Sequence, residues 1–138
     1  MTAQALIPPG AEDAVASLHA SPGIRAHGIV FVTGMTGSRD DGTMPDSLDE
    51  QVRNAFAKIA AVLGEAGLGL SDIVEMTSYH VGLRAHFERF KALRAEHVAP
   101  PYPAWTAVEV AGLRRAGALV EIRVVAAEPE WDAEGIDR

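Results

Sequence analysis

Three charged residues near the end of the chain are the leading candidates for chemistry, because their neighbours in the sequence are apolar. Glu109 belongs to the apolar stretch 103–110, and Glu121 and Arg123 belong to the apolar stretch 118–125. A charge placed inside a hydrophobic element needs a partner, a ligand or water. The two stretches therefore predict a functional site in the last third of the chain.

Strand geometry decides which of these residues can act together. Residues i and i+2 of a strand point to the same face, so Trp105 and Glu109 share one face and Glu121 and Arg123 share another. The two strands are joined by a Gly- and Arg-rich stretch, 112–117, which we interpret as the turn of a hydrophobic hairpin.

Two amphipathic helices are predicted to support these strands. Ser47 and Glu50 form a capping box, apolar residues then recur at helical spacing, and Gly67 ends the helix in a left-handed conformation. A second helix is predicted from Arg84 to about Val98. Its inward positions are Phe87, Phe90, Leu93 and Val98.

The remaining strands complete a mixed sheet. The β-branched run 28–34 reads as a buried strand, with 24–27 before it and a turn at His27 and Gly28. In the strand 72–81, one face is predicted to carry Val74, Met76, Ser78 and His80. Two helical crossovers favour an α+β fold with both helices on one face of the sheet, which leaves the other face bare. A bare apolar face implies burial, most simply against another copy of the chain.

Length and composition indicate one domain, which we place at residues 18–129 between a loosely held arm, 1–17, and a charged tail, 130–138. The chain has no cysteine and no apolar run of membrane-spanning length, and residues 1–10 lack the features of a secretory signal. We therefore expect a cytoplasmic protein without a membrane partner. A formal net charge of −7 argues against a nucleic-acid partner, which needs a basic face.

Several blocks in a fixed order resemble one known family. They are 29–34, the helix ending at Glu65-Ala66-Gly67, 72–74 with Thr77, 103–110 and 117–122. Their order and spacing from Ile24 to Ala127 resemble the RidA family, also called YjgF/YER057c-like. The resemblance implies a chorismate-mutase-like subunit, a homotrimer and a ligand cleft at each subunit interface. It also implies hydrolysis of enamines and imines to a keto acid and ammonia, with no metal or organic cofactor.

The chain departs from the family at positions that matter for catalysis. The family's deaminases carry an Arg after Pro-Ala that grips the substrate carboxylate, and here that position is Trp105. The family's Ser and Gln on either side of a Gly correspond to Thr33 and Met35, and its usual Tyr before the first strand has no clear match. The Glu that positions water corresponds to Glu121. The resemblance thus implies that an acid and a hydroxyl remain, whereas the carboxylate clamp is absent.

Each of the central residues has a structural alternative. Glu121 orients water or acts as a general base, or else it forms a salt bridge to Arg123 or to a neighbouring subunit. Trp105 stacks on a ligand or fills the cleft by packing. Arg123 replaces the missing guanidinium, or else it makes a surface or inter-subunit ion pair.

Further candidates lie at the rim of the expected cleft. Tyr102 and Glu109 are placed there, with Glu109 also interpreted as a structural charge partner. His80 is either a hydrogen-bonded core residue or a ligand contact. His86 and His97 share a face of the second helix but have no third ligand at metal spacing, so we expect no metal site.

Two functions follow from these residues. The first is an enzyme that adds water to an imine or enamine, with Glu121 and Thr33 as its catalytic groups. The second is a trimer of the same kind that binds a small apolar or aromatic metabolite without chemistry. Some members of the family have been labelled ribonucleases, but the acidic charge argues against that activity here.

Overall fold

The computed structural model describes residues 2–129, which form a mixed α+β fold with three helices and one six-stranded sheet. The strands are β1 Gln4–Leu6, β2 Gly23–Ala26, β3 Ile29–Thr36, β4 Ile73–His80, β5 Ala104–Glu109 and β6 Val120–Ala127. The helices are α1 Glu12–Leu18, α2 Leu48–Gly64 and α3 Leu83–Ala95. The strand order is β1-β2-β3-β6-β4-β5, in which only β4 and β5 run parallel.

The start of α2 follows the predicted capping pattern in part. Ser47 Oγ accepts a hydrogen bond from the Glu50 amide at 3.1 Å, as a capping residue does. The Glu50 side chain forms an ion pair with Arg39 instead of returning to the cap. At the other end, Gly67 has a φ of 73° and the Leu68 amide donates to the Leu63 carbonyl, which closes the helix as the sequence predicts.

Helices α2 and α3 cover one face of the sheet and enclose the hydrophobic core. Residues from both helices and from β3, β4 and β6 form one buried cluster. Burial of each large aliphatic or aromatic side chain stabilises the fold by about 1.5–3 kcal/mol. The fully buried members of this hydrophobic cluster include Val30, Val32, Val52, Phe56, Ile59, Phe90, Leu93, Ile122 and Val124.

The predicted hairpin between the last two strands is wrong. β4 lies between β5 and β6, pairing in parallel with β5 and antiparallel with β6. A parallel neighbour requires a crossover, which α3 supplies between β4 and β5. The connection from β5 to β6 passes over to α2, where the buried Gln51 amide donates to the Gly117 carbonyl and accepts from the Leu119 amide.

Two irregularities in strand pairing change which side chains share a face. The register of β4 against β6 shifts between Ile73 and Glu75, so Ile73 is buried and Val74 is 49% exposed. The prediction that Val74 faces the same way as Met76 is therefore wrong, since one additional residue reverses the alternation. A second shift separates Val32 from Met35 in β3.

The N-terminal segment, predicted as a loosely held arm, contributes a strand to the sheet. β1 pairs with β2, and Leu6 at its end is only 2% exposed within the core. The turn between β2 and β3 has the predicted residues, and His27 and Gly28 both have positive φ, at 52° and 76°. The predicted charged tail, 130–138, lies outside the described residues.

The face of the sheet away from α2 and α3 is called the open face here. It carries Phe31, Thr77, Tyr79, Val108, Glu121, Arg123 and Val125. Phe31 and Val108 are 42% and 38% exposed, although both are large and apolar. No helix within residues 2–129 has the length and apolarity needed to cross a membrane.

Candidate functional site

Glu121 lies in the middle of the open face. It is opposite Tyr79 of β4 on one side and Thr36 of β3 on the other. Its carboxylate rests against the backbone of Gly34, where an added side-chain carbon would lie 2.5 Å from Oε2. Within residues 2–129, no hydrogen bond or ion pair engages this carboxylate. The acid is therefore positioned by packing and is available to water.

Thr33 lies on the neighbouring strand at the register shift of β3. It is exposed, and its Oγ1 donates to the Ser21 carbonyl at 2.7 Å. Its amide donates to the Pro22 carbonyl at 2.9 Å. Thr33 thus holds the loop before β2 against the strand, and its hydroxyl oxygen keeps free lone pairs beside the backbone that supports Glu121.

Arg123 does not pair with Glu121. Its guanidinium lies 3.7 Å from the carboxylate of Glu75, and both side chains are substantially exposed. Such a pair is weak in solvent. Arg123 therefore retains donors that face the same side of the sheet as Glu121, two residues away along β6.

Tyr102 lies at the far end of the sheet from Glu121. It precedes β5, whose first residue, Ala104, is opposite Glu75, whereas Glu121 is opposite Tyr79. The side chain is 67% exposed. The two residues are therefore not brought together within one chain.

Trp105 points to the helix-covered face, away from Glu121. Its ring stacks on Phe87 with centroids 5.6 Å apart, and the guanidinium carbon of Arg94 lies 4.0 Å above the ring. Its Nε1 donates to Ser78 Oγ at 2.9 Å. In the single chain, Trp105 fills the space under α3, and the residue is half-buried on the border strand β5.

His80 is fully buried on the same face as Trp105. Its Nε2 lies 2.7 Å from Ser78 Oγ and its Nδ1 lies 3.0 Å from His86 Nε2. Phe90 packs edge-on against the ring at 4.5 Å between centroids. His80 is thus a hydrogen-bonded core residue, the structural alternative in the sequence analysis.

Burial changes the protonation of this cluster. Removal from water, followed by the proximity of His86, lowers the pKa of His80 to about 4. Burial also lowers the pKa of His86, and the Glu109 carboxylate opposes that effect. Both imidazoles are neutral at pH 7, so each has one donor and one acceptor nitrogen.

Glu109 caps the start of α3. Its two carboxylate oxygens accept from the amides of Gly82 at 3.0 Å and Leu83 at 2.7 Å, and these bonds lower its pKa. The interpretation of Glu109 as a structural charge partner agrees with these contacts. A shallow groove of about 410 Å³ lies beside it, lined also by Arg84 and Ala85.

The structure separates the predicted site residues into two groups. Glu121, Thr33 and Arg123 lie near one another around the open face, whereas Trp105 and His80 lie together beneath α3. Met35 belongs to neither group, because the shift in β3 places it opposite Ile122 and against the core. No three His, Asp or Glu side chains within residues 2–129 are arranged to hold a metal ion.

Sequence reasoning missed the connection between Trp105 and His86. Ser78, which links them, lies two residues before His80 on one face of β4, and that spacing was visible in the sequence. It also missed Lys58, whose Nζ donates to the Thr36 carbonyl and to Ser38 Oγ and whose pKa is lowered by burial. No motif in the sequence marks Lys58.

Comparisons with known proteins identify a family and several relatives that are similar to this chain. A protein-family model described as endoribonuclease L-PSP matches residues 11–128. The RutC family protein YjgH of Escherichia coli (strain K12) is 41% identical over 127 residues, which is 91% of this chain and 95% of the relative. A solved structure of protein YJGH has a TM-score of 0.83 at 40% identity, and the match covers 94% of this chain and 99% of that one.

Two further solved structures are more distant. Rv2704 of Mycobacterium tuberculosis, a member of the YjgF/YER057c/UK114 family, has a TM-score of 0.78 at 28% identity, covering 91% of this chain and 99% of that one. Escherichia coli TdcF with bound serine has a TM-score of 0.71 at 25% identity, covering 79% of this chain and 87% of that one.

Proposed function

Because the chain belongs to the endoribonuclease L-PSP family, which includes the RidA and YjgF proteins, we propose that it assembles into a homotrimer with a small-molecule cleft at each subunit interface. The trimer would be of the chorismate-mutase-like type, with the open faces packed around the axis. In this cleft the protein hydrolyses an enamine or imine with release of ammonia. The observation that carries the proposal is the Glu121 carboxylate, which is fixed on the open face and unpaired within residues 2–129.

The chemistry assigned to Glu121 needs one proton acceptor near a water molecule. Water adds to the imine carbon while the carboxylate takes one of its protons and passes it to the imine nitrogen, which gives a carbinolamine. The carboxylate then moves the hydroxyl proton to the same nitrogen, so that ammonia leaves and a carbonyl group remains. Thr33 supports this step by holding the loop at Ser21 and by presenting hydroxyl lone pairs to water. Neither residue requires a metal or an organic cofactor for this role.

The substrate is proposed to differ from that of the Arg-bearing relatives. A bidentate Arg–carboxylate contact contributes about 1.5–3 kcal/mol, and the Trp105 indole cannot replace it. Arg123 is a cation on the face of Glu121, but it is partly engaged by Glu75. TdcF binds serine, so a small polar metabolite suits the fold, and the site here favours one without a carboxylate in the usual position.

The second candidate function is binding of a small metabolite by the same trimer without chemistry. The location of Trp105 supports it, because the residue at the former clamp position is committed to packing under α3. Ribonuclease activity, which the family description suggests, is not proposed. The net charge of −7 disfavours binding of a phosphate backbone.

Light scattering tests the assembly on which both candidates depend. A mass three times that of the 14.6 kDa chain is expected in dilute solution. A stable monomer would remove the interface cleft and both functions with it.

An ammonia-release assay coupled to a serine or threonine dehydratase tests the chemistry. We expect the rate to fall about 10–100-fold below that of an Arg-bearing relative, since the clamp is missing. Glu121→Gln should abolish the remaining turnover, with the trimer and its melting temperature unchanged. Glu88→Gln is the control, because it removes an exposed carboxylate of α3 and should leave turnover intact.

Two results would change the conclusion. Ammonia release as fast as that of an Arg-bearing relative would contradict the altered specificity. Dissociation of Glu121→Gln into monomers would identify Glu121 as an inter-subunit ion-pair partner, and the binding function would then be preferred to the enzymatic one.

A further inference from the structure

A continuous chain of hydrogen-bonding groups beneath α3 connects Trp105 to a partly exposed histidine. The indole Nε1 is 2.9 Å from Ser78 Oγ, which is 2.7 Å from His80 Nε2. His80 Nδ1 is 3.0 Å from His86 Nε2. Ser78 and His80 are fully buried, whereas His86 is half-buried near the start of α3. Of the two titratable groups in this chain, His86 is the one that keeps contact with solvent.

The number of protons in the chain fixes its direction when both histidines are neutral. An indole nitrogen can only donate, so Ser78 Oγ accepts from Trp105. The Ser78 proton is then donated to His80 Nε2, and His80 carries its own proton on Nδ1 and donates it to His86. Every donor has one acceptor, and the indole is held firmly.

Protonation of His86 reverses this arrangement. Both nitrogens of an imidazolium are donors, so His86 Nε2 now donates to His80 Nδ1. His80 must move its proton to Nε2, which faces Ser78 Oγ. The serine oxygen then meets two donors, and its own proton has no acceptor in the chain. A hydroxyl that no longer donates its proton is a weaker acceptor, and two donors now compete for its oxygen, so the hydrogen bond from the indole weakens.

We propose that Ser78 and His80 are positioning residues for the Trp105 indole, and that protonation of His86 loosens the hold of this chain on Trp105. Any effect of this loosening on a ligand bound at the subunit interface rests on the proposed function. The coupling itself depends only on contacts within one chain.

The charged groups around the chain set the pH range. From β5, the Glu109 carboxylate favours the charged form of both histidines, whereas His86 of α3 disfavours the charged form of His80. Arg94 of α3 lies over the indole, and Val120 of β6 is the uncharged residue opposite His80. Burial outweighs Glu109 and lowers both histidine pKa values, so the transition lies below the usual histidine value of about 6.5.

Fluorescence of Trp105 tests the coupling without any ligand. The chain has two tryptophans, so Trp131→Phe leaves Trp105 as the only indole. In this background, we expect the Trp105 emission to titrate with a midpoint below about pH 6.5, while the circular dichroism of the helices stays constant. His86→Gln should remove this transition. Ser78→Ala should make the Trp105 emission insensitive to the protonation of His86.

His97→Gln is the matched control, because this imidazole of the same helical region stacks on Phe56, 4.2 Å away, and is not part of the chain. It should leave the midpoint unchanged. An emission that is constant from about pH 8 down to the onset of acid unfolding, or the same midpoint in His86→Gln, would overturn the proposal. Either failure would leave the ammonia-release assay unaffected, so the coupling and the proposed function are judged separately.

Discussion

The two faces of the sheet differ in whether the chain itself supplies hydrogen-bond partners for polar side chains. Beneath the helices, Ser78 and His80 are fully buried, and their side-chain hydroxyl and ring nitrogens have partners within the chain. On the open face, Glu121 projects from the same sheet and has no such partner among residues 2–129. The chain completes the first face by itself. The second face is complete only with water, a ligand or another copy.

Paired substitutions of phenylalanine give the largest expected contrast between the faces. Phe90 is fully buried against His80 and Trp105, so Phe90→Ala should lower the free energy of unfolding by about 3–5 kcal/mol. Phe31 is 42% exposed on the open face, so Phe31→Ala should chiefly weaken assembly. Denaturant unfolding at several protein concentrations, with light scattering, measures both. An equal loss of stability in Phe31→Ala with no change in mass would contradict the distinction.

Acid should destabilise the helix-covered face through His80. Unfolded His80 takes up a proton near pH 6.5, whereas the folded residue does so only near pH 4, so the unfolded state binds more protons between these values. The free energy of unfolding is therefore highest above pH 6.5 and declines as the pH falls toward 4, by about 3 kcal/mol in total.

The pH dependence of unfolding in denaturant measures this loss. His80→Gln should be less stable at neutral pH but should show a flatter profile in the acid range. His19→Gln, at an exposed position, should follow the parent. A parent-like slope in His80→Gln would assign the acid sensitivity to another group.

The smallest effect is expected on the open face. Arg123→Ala removes a solvent-exposed ion pair with Glu75, which should cost less than about 1 kcal/mol. Thermal unfolding measures that cost, and ammonia release or ligand binding shows whether Arg123 has a second role. Loss of ligand affinity without loss of stability would mean that Arg123 replaces the absent guanidinium, whereas dissociation of the assembly would identify an inter-subunit ion pair.

Local patterns predicted the elements well because their causes are local. The Ser47 cap, the helical spacing after it and the turn at His27 and Gly28 each depend on residues close in sequence. The order of strands depends on distant contacts. The hairpin prediction failed because adjacency in sequence was taken for adjacency in the sheet, and Gln51 of α2 draws the connection between β5 and β6 elsewhere.

The candidate site was predicted less completely, for a related reason. The alternation rule correctly grouped Trp105 with Glu109 and Glu121 with Arg123, but it could not show that the two pairs lie on opposite faces. The bulges in β3 and β4 also reversed the orientation of Met35 and Val74. A single inserted residue has that effect, and no periodicity in the sequence marks it.

Gly34 and Glu121 occupy space that only one side chain can fill. An added carbon at position 34 would lie 2.5 Å from Glu121 Oε2 and 2.9 Å from its carboxyl carbon. The two positions should therefore vary together among relatives, with any residue larger than glycine at 34 accompanied by a shorter one at 121. Gly34→Ala would displace the acid while retaining it, and Glu121→Asp in the same chain would restore the space. This pair allows the position of the carboxylate to be altered separately from its charge.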